Sequence, residues 1–266
     1  MGSDLNDKEL KDFEIAADRK MGILDALLTS DEVTFLENIG SKHSQLPITT
    51  SKNRYEAFLS LFTHDSTAIE GNTLTLQETA SLLFENIAPI KDMREIHEVL
   101  NHKKAFDYVL AYKGDITKKF ICELHRLVML ETLDKEINDQ IGKYRTLQVY
   151  IRGVDWVPAP PENVASDMKT LLTWYSKNKN KLHPLVTAIY FHVGFEIIHP
   201  FVDGNGRIGR LLMNFILHKN SYPMVNIPNE RRNTYYFVLR EAQIKGNLRP
   251  FIEFVIKLYK NSKVMF

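Results

Sequence analysis

Apolar residues recur along most of the chain at the spacing of amphipathic helices. A period of three to four residues predicts helices over residues 4–28, 31–39, 54–70, 75–86, 93–112, 117–133, 161–177, 230–245 and 249–261. The longest apolar run, 183–198, and a second run at 211–217 predict buried helices on either side of a short polar loop. Thr75 and Glu78 have the spacing of a capping box, and Ser30 is a candidate N-cap for the helix at 31–39.

One segment follows a different pattern. Apolar and polar residues alternate from 147 to 151, and the prolines at 158, 160 and 161 would keep any second strand short. The pattern predicts a β-hairpin at about 144–158, with its first strand formed by Leu147, Gln148, Val149, Tyr150 and Ile151. The expected architecture is therefore all-α with one β-hairpin. An N-terminal helical lead covers 1–53, and the main domain covers 54–266, with its core at about 93–224 and C-terminal helices at about 230–262.

Composition limits the class of protein. The 266 residues are 44% hydrophobic and 25% charged, which is ordinary for one large globular domain. With 34 basic against 33 acidic residues, the charge balance indicates neither a nucleic-acid nor a membrane partner, and homo-oligomerisation is left open. Cys122 is the single cysteine, and residues 1–20 have no continuous apolar core of a signal peptide, so we expect a cytoplasmic protein.

The densest chemistry lies in residues 199–210, which read HPFVDGNGRIGR. Gly204 and Gly206 flank Asn205 and let the backbone turn sharply and approach a ligand. A helix beginning near Arg207 would point its free N–H groups at the same place, which is a ready anion site. A glycine pair between helices is more often only a tight turn. Arg207 and Arg210 share a helix face, however, and favour a site for several phosphates in a row.

His199 and Asp203 add an ionisable ring and a carboxylate to this loop. Asp203 beside phosphates would need a cation, and Mg²⁺ is the natural one; alternatively, Asp203 caps the next helix or pairs with an arginine. The ordinary pKa of a histidine, roughly 6.5, suits His199 as a general base. The alternative is a packed residue that interacts with the helix end.

The stretch 199–210 resembles the signature of the Fic family, His-x-Phe-x-Asp/Glu-Gly-Asn-Gly-Arg-x-x-Arg, at every defined position. The resemblance implies a Fic-fold protein AMP-transferase, which moves AMP from Mg-ATP to a Ser, Thr or Tyr hydroxyl of a target protein. It implies His199 as the base, Asp203 as the Mg²⁺ ligand and Phe201 as the anchor of the loop. It also implies nucleotide-binding roles for Gly204, Asn205, Gly206, Arg207 and Arg210, with Tyr235 and Tyr236 near the adenine.

A second stretch, Ser66 to Asn72, resembles the inhibitory motif Ser/Thr-x-x-x-Glu-Gly/Asn of the class with an N-terminal inhibitory helix, here about 54–71. Ser66 and Glu70 share a helix face. The carboxylate of Glu70 could pair with Arg210 and occupy the cation that should receive the γ-phosphate. The resemblance therefore implies self-inhibition.

Residues 142–161 resemble the family's flap, which aligns the backbone of the target beside ATP; an open strand edge can add such a peptide by main-chain hydrogen bonds. Two other functions remain open. One is removal of AMP from a modified protein, with Glu70 orienting a water. The other is a nucleotide-sensing interaction module without catalysis.

Overall fold

The computed structural model describes Leu24 and residues 27–45, 51–151 and 157–262. In chain order the α-helices of this part are α1 (Ser30–Ser44), α2 (Ser51–Ala68), α3 (Leu76–Phe84), α4 (Met93–Ala111), α5 (Lys118–Met129), α6 (Pro161–Asn178), α7 (Pro184–Ile198), α8 (Asn205–Lys219), α9 (Arg232–Lys245) and α10 (Arg249–Asn261). Short 3₁₀ helices cover Lys135–Gln140 and Asn229–Arg231.

Helix boundaries follow the capping chemistry. The capping box of Thr75 and Glu78 is confirmed, with both reciprocal hydrogen bonds present at the start of α3. The predicted cap of α1 is wrong by one residue: Thr29, not Ser30, is the N-cap, because Glu32 then stands three residues later and completes a second capping box. The helix predicted at 4–28 lies almost entirely outside the described residues.

Helix α7 is the centre of the molecule. Every residue from Leu185 to Ile198 is buried, and the helix packs against α6, α8, α9 and α10. The adjoining α8 is buried along most of its length, so the two form a central helical hairpin whose loop, 199–204, emerges at one end. A loop mounted on two such helices is held by rigid elements. Among the helices of the described residues, none has the length and apolar character needed to cross a membrane.

Helix α2 lies across α8 and carries Ser66 in its last turn, whereas Glu70 lies in the turn that follows the helix. Its position is set by Asp65, whose carboxylate accepts hydrogen bonds from Asn226 Nδ2 at 2.5 Å and from the backbone N–H of Asn229 at 3.1 Å. After Ala68 the chain turns through Gly71, at φ 108°, a left-handed conformation that favours glycine.

The described part of the N-terminal lead docks on the C-terminal helix. Arg249 of α10 makes a bidentate salt bridge with Glu32 of α1, at 2.7 Å from each guanidinium nitrogen, and donates to the carbonyl of Leu27. Hydrogen bonding from Arg249 lowers the pKa of Glu32 to about 2. Helix α1 is therefore joined to the domain that follows it.

In the described residues the predicted β-hairpin is not seen as strands. Residues 144–151 and 157–158 have no strand conformation, and the turn at 152–156 lies outside the described residues. Side chains link the two arms instead of a backbone ladder: Gln148 Nε2 donates to the carbonyl of Pro158 at 3.1 Å, and Arg145 donates to the carbonyls of Leu147 and Ala159. Pro158 and Pro160 have no N–H, so the second arm is a poor ladder partner.

Candidate active site

The loop between α7 and α8 is shaped by two left-handed residues. His199 ends α7 at φ 51° and ψ 60°, and Gly204 precedes α8 at φ 79°. The φ of Gly204 favours glycine, and a Cβ there would also lie 2.6 Å from Sδ of Met129, which would have to move. For a histidine the left-handed conformation costs roughly 1–2 kcal/mol, and such strain persists where surrounding contacts impose it.

Phe201 and Asn205 hold the loop in place. The ring of Phe201 is fully buried and stacks on His125 with ring centroids 3.9 Å apart. This confirms the predicted anchoring role of Phe201. The Asn205 amide accepts from the N–H of Phe201 and donates to its carbonyl, both at 2.9 Å. Because its side chain is used within the loop, Asn205 has only its backbone N–H, at the start of α8, to offer to a phosphate.

His199 lies at the mouth of the loop beside a buried carboxyl. Its Nδ1 atom has no hydrogen-bond partner among the described residues and lies 3.8 Å from Oε2 of Glu196. Burial, and then the positive charge of Arg145, lower the pKa of His199 to about 4. The ring is therefore neutral at pH 7, as a proton acceptor must be.

Arg210 is bound by Ser66 and Glu70, and this is the contact that the second motif predicted. Its Nε donates to Ser66 Oγ at 3.0 Å, and its Nη2 donates to the Ser66 carbonyl at 2.7 Å and to Glu70 Oε1 at 2.8 Å. The guanidinium is 1% exposed, and it lies over the ring of Tyr235 at 5.9 Å from the centroid. The hydrogen bond between Arg210 and Glu70 is charge-assisted, and the pair is buried on the arginine side, whereas the Glu70 side chain is 33% exposed.

Gly206 makes room for the Glu70 carboxylate. A Cβ on Gly206 would lie 2.2 Å from Oε1 of Glu70 and 3.1 Å from Nη1 of Arg210. The carboxylate therefore lies against the first turn of α8. The free N–H groups of this turn are those predicted to bind phosphate. Glu70 therefore lies against both the Arg210 guanidinium and the neighbouring backbone of α8.

Asp203 and Arg207 belong to a separate charge network. Asp203 pairs with Arg207 at 3.4 Å and with Arg94 at 3.3 Å, and Arg207 lies 3.4 Å from Glu98. Of the alternatives considered for Asp203, pairing with an arginine is the one seen in the structure. Its side chain is 39% exposed, however, and its partner Arg94 is on the surface. The Asp203 carboxylate fits a Mg²⁺ that takes its remaining ligands from phosphate oxygens and water.

A cleft of about 440 Å³ opens beside the loop, and this is within the usual range for small-molecule sites. It is lined by Glu70, Ile151, Glu196, His199, Gly206, Arg210, Asn233, Tyr235, Tyr236, Phe237, Leu239, Arg240 and Gln243. The structure thus brings together the predicted base, one arginine predicted to bind phosphate, the glutamate predicted to inhibit and both tyrosines. Asp203 and Arg207 are not among the lining residues.

The two tyrosines differ in what they present to the cleft. Tyr235 is 1% exposed, and its hydroxyl lies 2.9 Å from Nε2 of His192. Tyr236 is 44% exposed and donates to the carbonyl of Ile69, next to the inhibitory glutamate, at 3.4 Å. Tyr236 is therefore the ring that a flat ligand could contact.

Two residues of the site were not among the site residues predicted from the sequence. Glu196 had a signal, because it is a carboxylate within an otherwise apolar run. Arg145 had none, because the groups that it binds are backbone carbonyls from distant segments.

The fold and site together define a class: an all-helical domain in which the loop between two central helices presents a histidine and an arginine to one cleft. The sequence from 115 to 217 matches the model of the Fic/DOC family. The chain belongs to the Fic family.

Its relatives agree with this assignment. The chain is 38% identical over 244 residues to "Protein adenylyltransferase Fic" of Drosophila yakuba, a match that covers 87% of this chain and 47% of the relative. It therefore spans about half the length of the curated relatives that it matches. Among solved structures, Fic-1 (aa134 - 508) of C. elegans is 31% identical, with a TM-score of 0.73 over 93% of this chain and 71% of that one. A Fic-domain signalling protein of Bacteroides thetaiotaomicron VPI-5482 is 26% identical, with a TM-score of 0.77 over 85% and 92%.

Proposed function

We propose that this protein is an adenylyltransferase that moves AMP from ATP to a hydroxyl of a target protein, and that Glu70 restrains it. The hydroxyl oxygen attacks the α-phosphorus and forms a new P–O bond. The bond between the α-phosphorus and its bridging oxygen breaks, and pyrophosphate leaves. His199 takes the hydroxyl proton, for which its neutral ring is suited. Mg²⁺ held by Asp203 would neutralise charge on the phosphates.

The observation that carries the proposal is the contact between Arg210 and Glu70 in the cleft that also contains His199. Arg210 is the guanidinium of this cleft nearest the start of α8, where a polyphosphate would end. While Glu70 binds it, a γ-phosphate meets a carboxylate instead of a cation. Transfer then fails because the α-phosphate is not held in line with the attacking hydroxyl.

The flap is the proposed docking surface for the target. Leu147 and Tyr150 of its first arm are 47% and 78% exposed, and Ile151 lines the cleft. An extended peptide bound along residues 147–151 would therefore lie next to His199. Main-chain hydrogen bonds would supply affinity with little dependence on the target's sequence.

A second candidate is hydrolysis of AMP from a modified protein. It is supported by the position of Glu70, which lines the same cleft as His199 and could hold an attacking water there. Glu70→Gly separates the two reactions. The variant should gain transfer if Glu70 restrains, and it should lose removal of AMP from a modified protein if Glu70 positions water.

The transfer is tested with ATP labelled at either the α- or the γ-phosphate. We expect Glu70→Gly to incorporate the α-label into itself or into lysate proteins, without the γ-label. The added variant His199→Ala should abolish incorporation while calorimetry still detects ATP binding, because the base touches the hydroxyl and not the phosphates. Incorporation of the γ-label would instead mean phosphoryl transfer, and labelling that survives His199→Ala would remove His199 as the base.

A further inference from the structure

Arg145 is a buried cation bound almost entirely by backbone. Its side chain is 2% exposed, and its nitrogens donate to the carbonyls of His199 at 2.8 Å, Leu147 at 3.1 Å, Ala159 at 2.5 Å and Ile198 at 3.4 Å. Its backbone N–H donates to the carbonyl of Pro200 at 2.9 Å. Among the described residues no carboxylate lies within salt-bridge distance of it, and the negative charge of Glu162 acts on it only from farther away. Burying a guanidinium without an ion partner is costly, so these carbonyls must compensate its charge.

The acceptors of Arg145 belong to parts of the molecule that must act together. Ile198 and His199 end α7, where carbonyls lack helical partners and the helix dipole is negative. A guanidinium there donates hydrogen bonds to these carbonyls and offsets the negative end of the helix dipole. It also holds His199 in its left-handed conformation. Leu147 and Ala159 are in the two arms of the flap, where no strand ladder joins the backbones.

We propose that Arg145 is a positioning residue that holds the flap and His199 at a constant separation. This inference rests on the proposed function. A target hydroxyl would be carried by a peptide bound to the flap, whereas the predicted base, His199, is fixed at the end of α7. The planar guanidinium, with five N–H donors in one fork, is the group that joins these two surfaces. Lysine offers a single ammonium and cannot span the same acceptors.

The arrangement also assigns an electrostatic effect to the same side chain. The charge of Arg145 lies behind the His199 backbone, and after burial it is the next cause that lowers the pKa of the ring. Removing that charge should raise the pKa of His199, and replacing it with lysine should retain part of the effect. A residue that only filled space would change neither.

The test compares Arg145→Met and Arg145→Lys with Arg126→Met, all in the Glu70→Gly protein. Arg126 is the control because it is a half-exposed arginine whose salt bridge, among the described residues, is with Glu123 on its own helix. We expect Arg145→Met to lose about 10- to 100-fold in the rate of α-label incorporation, Arg145→Lys to lose less, and Arg126→Met to be unchanged. Affinity for ATP by calorimetry should stay within about twofold in all of them, because Arg145 contacts no residue expected to bind phosphate.

Two readouts do not depend on transfer and separate this inference from the proposed function. In Arg145→Met, NMR titration of the His199 ring should give a higher pKa than in the control. Hydrogen exchange should also be faster in peptides covering 147–151 and 157–160, but not in those of α10. An unchanged His199 titration and unchanged flap exchange would overturn the proposal. Loss of ATP binding and melting temperature in parallel with activity would overturn it as well, since the role would then be only structural. If Glu70→Gly transfers nothing even with Arg145 intact, the proposed function fails, while the titration and exchange results still decide the role of Arg145.

Discussion

Glu196 is a carboxyl group enclosed in the apolar centre of the molecule, on the wall of the cleft. It is 6% exposed, its Oε1 has no hydrogen-bond partner among the described residues, and a Cβ on Gly209 would lie 2.3 Å from that atom. Burial raises the pKa of Glu196 to about 8, with Arg210 opposing and Glu70 adding to the shift. The group is therefore protonated at neutral pH when the protein is folded.

This shift predicts how Glu196→Gln changes stability with pH. From pH 4.5 to about 8 the folded protein holds a proton that the unfolded chain has released, so wild-type stability falls as pH rises through this window. Glutamine mimics the protonated carboxyl and does not titrate. We expect the free energy of unfolding of Glu196→Gln to rise relative to that of the wild type by on the order of 4 kcal/mol between pH 5 and pH 8.5.

Urea unfolding at several pH values measures the effect, and Glu230→Gln serves as the control because its side chain is 78% exposed. A constant difference between Glu196→Gln and wild type across the window would show that Glu196 is ionised in the folded protein.

Contacts between residues of recognised motifs were predictable from the sequence, and contacts made only by folding were not. The Arg210–Glu70 pair was predictable because both residues belong to stretches that resemble motifs of the Fic family. Pairing of Asp203 with an arginine was weighed as an alternative, but its contact with Arg94 was not predicted, because α4 meets the loop only in the folded molecule. Arg145 was not predictable, since no sequence pattern records which carbonyls a fold leaves free.

Helix α2 is the element on which the proposed restraint depends. It carries Ser66 and is held by the Asp65 carboxylate against the segment that contains Asn226 and Asn229. Because Asp65 and Ser66 are adjacent, a loss of this anchor should loosen the hold on Arg210. The strength of the proposed restraint then depends on how firmly α2 is held against its neighbours.

Asp65→Ala tests this coupling. With Glu70 intact, the variant should raise incorporation of the α-label several-fold and lower the free energy of unfolding by about 1–3 kcal/mol, because buried donors lose their acceptor. In the Glu70→Gly protein the same change should add no further activity. Glu56→Ala, at a more exposed site on the same helix, is the control. A drop in melting temperature with labelling still at the wild-type rate would mean that α2 keeps Arg210 bound without Asp65.

At this scale the helices were predictable and the flap was not. The period of apolar residues and the capping box at Thr75 depend on local sequence, so the predicted and observed helices agree within a few residues at most ends. Alternation at 147–151 predicted a strand, but a strand also needs a partner, and Pro158 and Pro160 cannot donate to it. Side-chain hydrogen bonds from Gln148 and Arg145 replace the ladder.

For the whole molecule, the buried α7–α8 hairpin supplies a rigid support, and the segments packed around it supply the chemistry. The predicted base comes from the end of α7, the predicted phosphate-binding arginine from α8, the proposed restraint Glu70 from the turn after α2 and the exposed tyrosine from α9. Every one of these segments meets at one cleft. The central claim is that the Glu70 carboxylate and the γ-phosphate of ATP compete for Arg210.

The most direct test of that claim is the initial rate of α-label incorporation by wild type, Glu70→Gln and Glu70→Gly at one ATP concentration. A charge-assisted hydrogen bond is worth about 1.5–3 kcal/mol, so removing Glu70 should raise the rate about 10- to 100-fold, with Glu70→Gln in between. A Glu70→Gly protein that binds ATP at least as tightly as wild type, yet incorporates label no faster, would contradict the account.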